Sequence, residues 1–287
     1  MDDNAVLLSL VNRNKLQIVL ISVGVFQAYI LDNIQQLLKL EEFNIHVITD
    51  RAFFSNCAEY NELITLVDAG ELDIAYFNTN SKLDKGFRQG FWNNTSKRLF
   101  LLYEYIKKYD IKNVLHLEND VLLYSKMSYV FDNKVYLTMD SDNRCIPGIV
   151  YIPDYRLLSN LVTRYDFKSN DMANMARFYH NNRDIVKTFP LIDKSIGKCI
   201  YNENYSEFNS IFDAAAIGQY LGGIDPRNKP GDTTGFVNET CVIKYNRYNF
   251  EWVKEGDCSL PYIRINGALV PINNLHIHCK DLKKFLM

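Results

Sequence analysis

The chain has 287 residues, 47% of them hydrophobic, enough to bury a sizeable core in one large domain or two small ones. Its 32 Lys and Arg nearly balance 34 Asp and Glu, and the formal charge of -2 excludes a global field that would draw it to nucleic acid or an anionic membrane. Six scattered cysteines (Cys57, Cys145, Cys199, Cys241, Cys258, Cys279) form neither a C-x-x-C pair nor a dense framework, which reads as reduced structural thiols.

The opening "MDDNAVLLSLVNRNK" has acids where a secretion signal needs a positive region. The uncharged run over residues 16–31 is shorter than a membrane span of roughly 20 residues and contains Gln17, Ser22 and Gln27. No transmembrane segment is expected. The reading is a cytoplasmic protein, in host cytoplasm if the source is viral, in which the sequons at Asn93, Asn94, Asn204 and Asn238 stay idle.

"LQIVLISVG" (residues 16–24) is a continuous apolar run ending in glycine, as a central parallel strand requires. A helix follows in "QAYILDNIQQLLKL", then a strand in "NIHVITD" that ends at Asp50. Residues 52–67 are helical in period, and "LDIAYFNT" (residues 72–79) reads as a third strand. "NTSKRLFLLYEYIKKY" sets Leu99, Leu102, Tyr103 and Ile106 on one helical face, with Lys107 and Lys108 near the C-terminal end. The strand "NVLHLENDVLLYS" comes next. This alternation predicts an α/β fold with a mostly parallel central sheet flanked by helices.

Farther on, "VYLTMD" and "GIVYIPD" read as strands, residues 154–165 and 171–181 as helices, and "LVPINNLHIHC" as a closing strand. No repeat or low-complexity linker interrupts the chain. One domain over residues 1–287 is expected, with a nucleotide-binding half at about 15–125 and an acceptor-binding and C-terminal half at about 126–287.

Two acids, Glu118 and Asp120, interrupt the apolar strand "NVLHLENDVLLYS". Residues two apart on a strand share a face, so the two carboxylates face together while Asn119 points away. Ligands of open parallel sheets gather at the carboxyl ends of strands, where these acids fall. A hard divalent ion such as Mg²⁺ or Mn²⁺ satisfies two adjacent carboxylates; a solvated strand end is the plain alternative. "NNLHIHCKDLKKF" adds His276, His278 and Lys280, an imidazole to complete a ligand shell and an ammonium to neutralise diphosphate.

The stretch "FWNNTSKRLFLLYEYIKKYDIKNVLHLENDVLLY", with the later "FNSIFDAAAIGQYLGGIDPRN" and "NLHIHCK", resembles the metal-dependent GT-A glycosyltransferases: an arginine on a helix, then an apolar strand ending in D/E-x-D. The last block is similar to the C-terminal His and Lys segment of glycogenin-like and related bacterial enzymes, but lacks the glycine and proline around its lysine. The resemblance implies a Rossmann-like GT-A fold and a hexosyltransferase. It implies transfer from a nucleotide sugar, a UDP-sugar by preference, to a hydroxyl of a glycan, lipid or protein acceptor, with Mn²⁺ or Mg²⁺. Retention or inversion stays open, and a homodimer is allowed.

Carried over by position, Asp120 resembles the principal metal ligand and Glu118 the acid that meets the ribose or the metal. His278 resembles the C-terminal histidine ligand, with His276 as its rival. Lys280 and Arg98 would touch the donor diphosphate or sugar, and Asn119 lies in the same donor-binding segment. Asp213 in "IFDAAAIGQY" stands at the expected N-terminus of a small-residue helix, where a catalytic carboxylate would sit; an ordinary N-cap is the alternative.

Gly148 in "RCIPGIVYIP" resembles the glycine that lets backbone approach the donor sugar. Val23, Gly24 and Asp50, at the first two strand ends, would meet uracil and ribose. Gly222, Gly223 and Asp225, with Arg227, would shape the acceptor loop. Phe91 and Trp92 could stack on sugar or base, or simply pack.

A sugar-nucleotide nucleotidyltransferase would open its first strand into a glycine-rich basic loop, whereas "SVGVFQAYILDN" has one glycine and no base. A dinucleotide-binding oxidoreductase would carry G-x-G-x-x-G there, which is absent. A non-catalytic glycan or nucleotide-sugar binder on the same scaffold would be marked by loss of Asp120, which is present.

Overall fold

Residues 15–223, 225 and 249–287 are described by the structure, a computed structural model. β1 (Leu16–Ser22) is followed by α1 (Ile30–Leu40), β2 (Phe43–Thr49), a 3-10 stretch over Arg51–Tyr60 and β3 (Thr65–Asp68). α2 (Ala75–Asn80) and the long α3 (Phe91–Tyr109) lead to β4 (Val114–Leu117) and β5 (Val121–Leu123). Short strands β6 (Val135–Leu137), β7 (Met139–Ser141), β8 (Arg144–Cys145) and β9 (Ile149–Ile152) precede α4 (Ser159–Thr163), α5 (Asp171–Asn181), β10 (Val186–Thr188) and α6 (Tyr205–Phe208). The C-terminal part adds β11 (Asn249–Glu255), β12 (Cys258–Ile265), β13 (Ala268–Pro271) and β14 (Asn274–His276).

A seven-stranded sheet in the order β10-β6-β9-β4-β1-β2-β3 organises these elements. β1 pairs in parallel with both β2 and β4, and β2 with β3, while β9 runs antiparallel between β4 and β6. The fold is therefore α/β, with a mostly parallel central sheet. Side chains alternate across β1: Ile18 and Leu20 join Ile30, Ile34 and Leu37 of α1 in one core, whereas Val19 and Ile21 join Leu99, Leu102 and Ile106 of α3 in the other. Helices thus cover both faces, and burial on both sides is why β1 reads as an unbroken apolar run.

From β1 the chain moves outward through β2 and β3, then returns through α3 to place β4 on the other side of β1. That reversal opens a crevice at the carboxyl ends of β1 and β4, where ligands of open α/β sheets bind. β11, β12 and β13 form a separate antiparallel sheet, and β14 pairs antiparallel with β5, with His276 opposite Val121.

Several local expectations fail for identifiable reasons. The third strand is Thr65–Asp68 rather than residues 72–79, and the preceding stretch is a 3-10 helix ending at Tyr60. In "LDIAYFNT" the Asp73 carboxylate accepts from Ala75 N at 3.0 Å and starts α2, which buries Phe77. This local turn at Asp73 competes with the strand propensity of Ile74, Tyr76 and Phe77. No helix follows Asp213; residues 212–217 are irregular and lead into a 3-10 turn at Gly218–Tyr220. Arg227, Asn238 and Cys241 lie outside the described residues. Among those described, Cys57, Cys145, Cys199, Cys258 and Cys279 are free thiols, and no helix is long and apolar enough to cross a membrane.

Two buried amides of α1 fix the crevice floor. Asn33 Nδ2 donates to the carbonyls of Asn119 (3.2 Å) and Val121 (2.9 Å), and Gln36 Nε2 donates to Leu123 O at 2.9 Å. Both residues are fully buried, so removing either amide strands carbonyls that water cannot reach. Asn33→Ala should lower stability by about 2 kcal/mol in denaturant unfolding, well beyond a neutral surface change. A loss under about 0.5 kcal/mol would show that these bonds do not hold the floor.

Candidate active site at the exit of the fourth strand

β4 ends at Leu117, and residues 118–120 form a tight turn closed by Val121 N donating to Glu118 O at 2.9 Å. Glu118 and Asp120 therefore lie on a turn at the crevice mouth rather than within a strand. The β5 and β14 pairing, extended by Ile277 N donating to Asp120 O at 2.9 Å, lays His276 against that turn. His276 Nε2 is 3.1 Å from Glu118 Oε2 and 3.4 Å from Asp120 Oδ1. Lys280 Nζ contacts Asp120 Oδ2, and Arg98 of α3 contacts Glu118 Oε1 directly. Arg98 also lies 3.9 Å from Asp171 Oδ2, at the start of α5.

These groups are largely out of water, so each must be charge-compensated by its neighbours. Burial opposes ionisation of Glu118, but Arg98 and His276 outweigh it and hold its carboxyl well below the usual range. Burial likewise opposes ionisation of Asp120, which Lys280 and His276 hold ionised. His276 resists burial because both carboxylates favour its charged form, pushing it up to about 10. His278 has the opposite fate: burial and the neighbouring His276 push it down to about 3, leaving a neutral ring 4.8 Å from that of His276. Asp171 is pushed up to about 6, burial outweighing the pull of Arg98.

Glu118, Asp120, His276, Lys280 and Arg98 are thus brought together. The imidazole that meets both carboxylates is His276; His278 stands behind it, and its Nδ1 has no partner among the described residues. The spacing of two in "HIH" could not separate them, because β14 ends at His276 and the chain turns away from the pairing ladder. Asn119 faces away as expected, its amide donating to Ile21 O at 2.8 Å and Gln27 Oε1 at 2.5 Å, so it braces β1. Val23 and Gly24 follow β1, and Gly24 N donates to Asp50 Oδ2 at 2.6 Å, joining the exits of β1 and β2.

Asp213 is 3% exposed, and its carboxylate accepts from four backbone amides: Ala216 and Ile217 on Oδ1, Gly218 and His276 on Oδ2, at 2.7 to 3.1 Å. It ties the irregular loop to the strand that carries His276. Gly148 approaches an imidazole: a Cβ there would stand 3.0 Å from His276 Nδ1. Gly222 (φ 74°) packs beside Cys279 and Phe285, Gly223 (φ 108°) has open space beside it, and buried Asp225 raises the negative potential at His278. Phe91 and Trp92 pack on each other, and Trp92 stacks on Phe87.

Asp171 and Thr95 were not foreseen. Asp171 follows the N-cap Asn170, the ordinary place for an acid in a first turn, so only its burial beside Arg98 marks it.

The oxygens of Glu118 and Asp120 and a ring nitrogen of His276 lie within 4.8 Å of one another. Two carboxylates and the Nε2 of His276, which faces them both, suit a divalent cation such as Mg²⁺ or Mn²⁺. The donor set fits a metal.

No protein-family model and no curated protein matches the chain. Among solved structures it is similar to the PaToxG glycosyltransferase, at 10% identity and a TM-score of 0.41 over 58% of this chain and 69% of that one. It is also similar to the CTP:phosphocholine cytidylyltransferase of Streptococcus pneumoniae, at 11% identity and a TM-score of 0.33 over 61% and 90%. The functional reading rests on the side chains of this site and not on those likenesses.

The cluster should imprint itself on stability. Glu118 and Asp120 have lowered values when folded, so their contribution is present above their ordinary 4.5 and 3.8 and is lost as pH falls. His276 is raised, so its contribution is complete below 6.5 and is lost as pH rises through about 10. In chelator, the melting temperature of wild type should exceed that of His276→Gln, and the gap should shrink between pH 6.5 and 10. A gap that stays constant over that range would show that His276 is not held as an imidazolium.

Proposed function

We propose that the protein is a metal-assisted glycosyltransferase of the GT-A type, moving a hexose from a nucleotide sugar, preferentially UDP-linked, to a hydroxyl acceptor. One observation carries this reading: Glu118, Asp120 and His276 converge at the carboxyl end of β4, beside the exit of β1, at the point where the sheet order reverses. A crevice there takes a nucleotide, and a hard-cation donor set takes its diphosphate.

Glu118, Asp120 and His276 would hold a divalent cation, which would supply Lewis-acid neutralisation of negative charge on the departing nucleoside diphosphate. The protein's own groups do the rest. His276 gives up its proton on entering the ligand set, since the imidazolium has no lone pair to offer. Lys280, released from Asp120, is placed to hold a phosphate oxygen, and the planar guanidinium of Arg98 can meet diphosphate or a sugar hydroxyl along one edge. These donors act where charge develops as the bond from sugar to phosphate breaks. Val23, Gly24 and Asp50 are assigned to base and ribose, and Gly222, Gly223 and Asp225 to the acceptor. Asp213 serves as a positioning residue for His276 rather than as a base, because its lone pairs face backbone amides.

Turnover of a panel of UDP- and GDP-sugars with Mn²⁺ tests the reading. One donor should release its nucleoside diphosphate, and Asp120→Asn, isosteric and able to keep a hydrogen bond to Lys280, should cut the rate by about a thousandfold or more. Pyrophosphate release from a nucleoside triphosphate and a sugar phosphate would instead assign a nucleotidyltransferase. Binding of donor with no cleavage in any acceptor mixture would assign a non-catalytic binder.

A further inference from the structure

Arg98 has two anionic neighbours, and only one of them belongs to the candidate metal site. Its Nη2 contacts Glu118 Oε1, and the same nitrogen stands 3.9 Å from Asp171 Oδ2. The Arg98 side chain is 14% exposed and that of Asp171 3%. Asp171 is fixed in turn: its Oδ1 accepts from Thr95 Oγ1 at 3.1 Å, and Thr95 lies one turn before Arg98 on α3. The arrangement is a guanidinium whose one terminal nitrogen faces two largely buried carboxylates, one of them tied to the helix that carries the arginine.

A cation at Glu118 competes with Arg98 for the same carboxylate. Were Glu118 the sole anion nearby, its release would leave a buried guanidinium uncompensated, a cost that would oppose cation binding. Asp171 removes most of that cost. We infer that Asp171 is a positioning residue that takes over the charge of Arg98 when Glu118 turns to a divalent cation, so that cation binding does not strand the arginine. This inference rests on the metal reading above and adds to it a residue outside the ligand set. It also explains why an acid is buried at the start of α5, where a solvent-facing one would serve the helix equally well.

Mn²⁺ affinity, measured by titration without donor, tests the inference in wild type, Asp171→Asn, Arg98→Gln and the double variant. Asp171→Asn should bind Mn²⁺ about tenfold more weakly, and the same substitution on the Arg98→Gln background should change affinity less than about twofold. Thr95→Val, a milder change that frees Asp171 without removing its charge, should weaken binding in the same direction and guards against a variant that fails to fold. Equal Mn²⁺ affinity in wild type and Asp171→Asn overturns the inference while leaving the metal reading intact. A tenfold loss that persists without Arg98 also overturns it, because Asp171 would then act on the cation through the field alone. Absence of Mn²⁺ binding by folded wild type overturns the metal reading and this inference together.

Discussion

The antiparallel pairing of β5 with β14 is the constraint on which the site depends. It joins a turn near the middle of the chain to a strand near its end and sets His276 opposite Val121, so one imidazole stands against two carboxylates. Without that pairing Glu118 and Asp120 would be two like charges at a strand end, repelling each other and open to water. With it they become half of a closed charge cluster in which each ion is balanced by an opposite one. Breaking one partner of such a cluster is expensive, of the order of 3–5 kcal/mol, because the other is left charged in a poorly solvated place.

Small residues make this closeness sterically feasible. A side chain at Gly218 would collide with the His276 backbone, and one at Gly148 would press on its ring. His276 is thus confined by two glycines, Gly148 against its ring and Gly218 against its backbone, while Asp213 fixes that backbone. Rigidity here has a chemical consequence, because ligand groups held in place before a cation arrives lose less entropy when it binds. Asn33 and Gln36 supply the same stiffness, clamping carbonyls within and just after the acidic turn to α1.

The parallel core was legible in the sequence because β1 is buried on both faces, and continuous apolar runs ending in glycine have few other meanings. α3 was legible from its apolar spacing, and α5 from the same period. Failures fell where a single polar side chain outweighs propensity. Asp73 turned an apolar run into α2, and the Asp213 carboxylate gathered amides into an irregular loop where small residues suggested a helix. Within the site, the pairing of the acids with the histidine segment could be anticipated from the ligand chemistry of those residue types and from the resemblance that orders the segments. The choice of His276 over His278 could not, because it depends on where β14 stops. Asp171 was invisible for a different reason: in a first helical turn an acid needs no further explanation, and nothing local tells a buried one from an exposed one.

Charge balance within the cluster also bears on how the crevice changes when it is filled. In the cation-free protein Lys280 and Arg98 neutralise Asp120 and Glu118, and His276 carries a proton between them. Adding a divalent cation to that arrangement without loss of charge would bring like charges together in a poorly solvated place, which the fold cannot sustain. The proton that leaves His276 offsets one of the two added charges, while Lys280 keeps its own charge, loses its counter-ion and must find another. A diphosphate is the anion whose charge and oxygens match a divalent cation and an ammonium at once. On the proposed function, the same electrostatics would make cation and diphosphate each favour the other's arrival, so binding of the two should be cooperative.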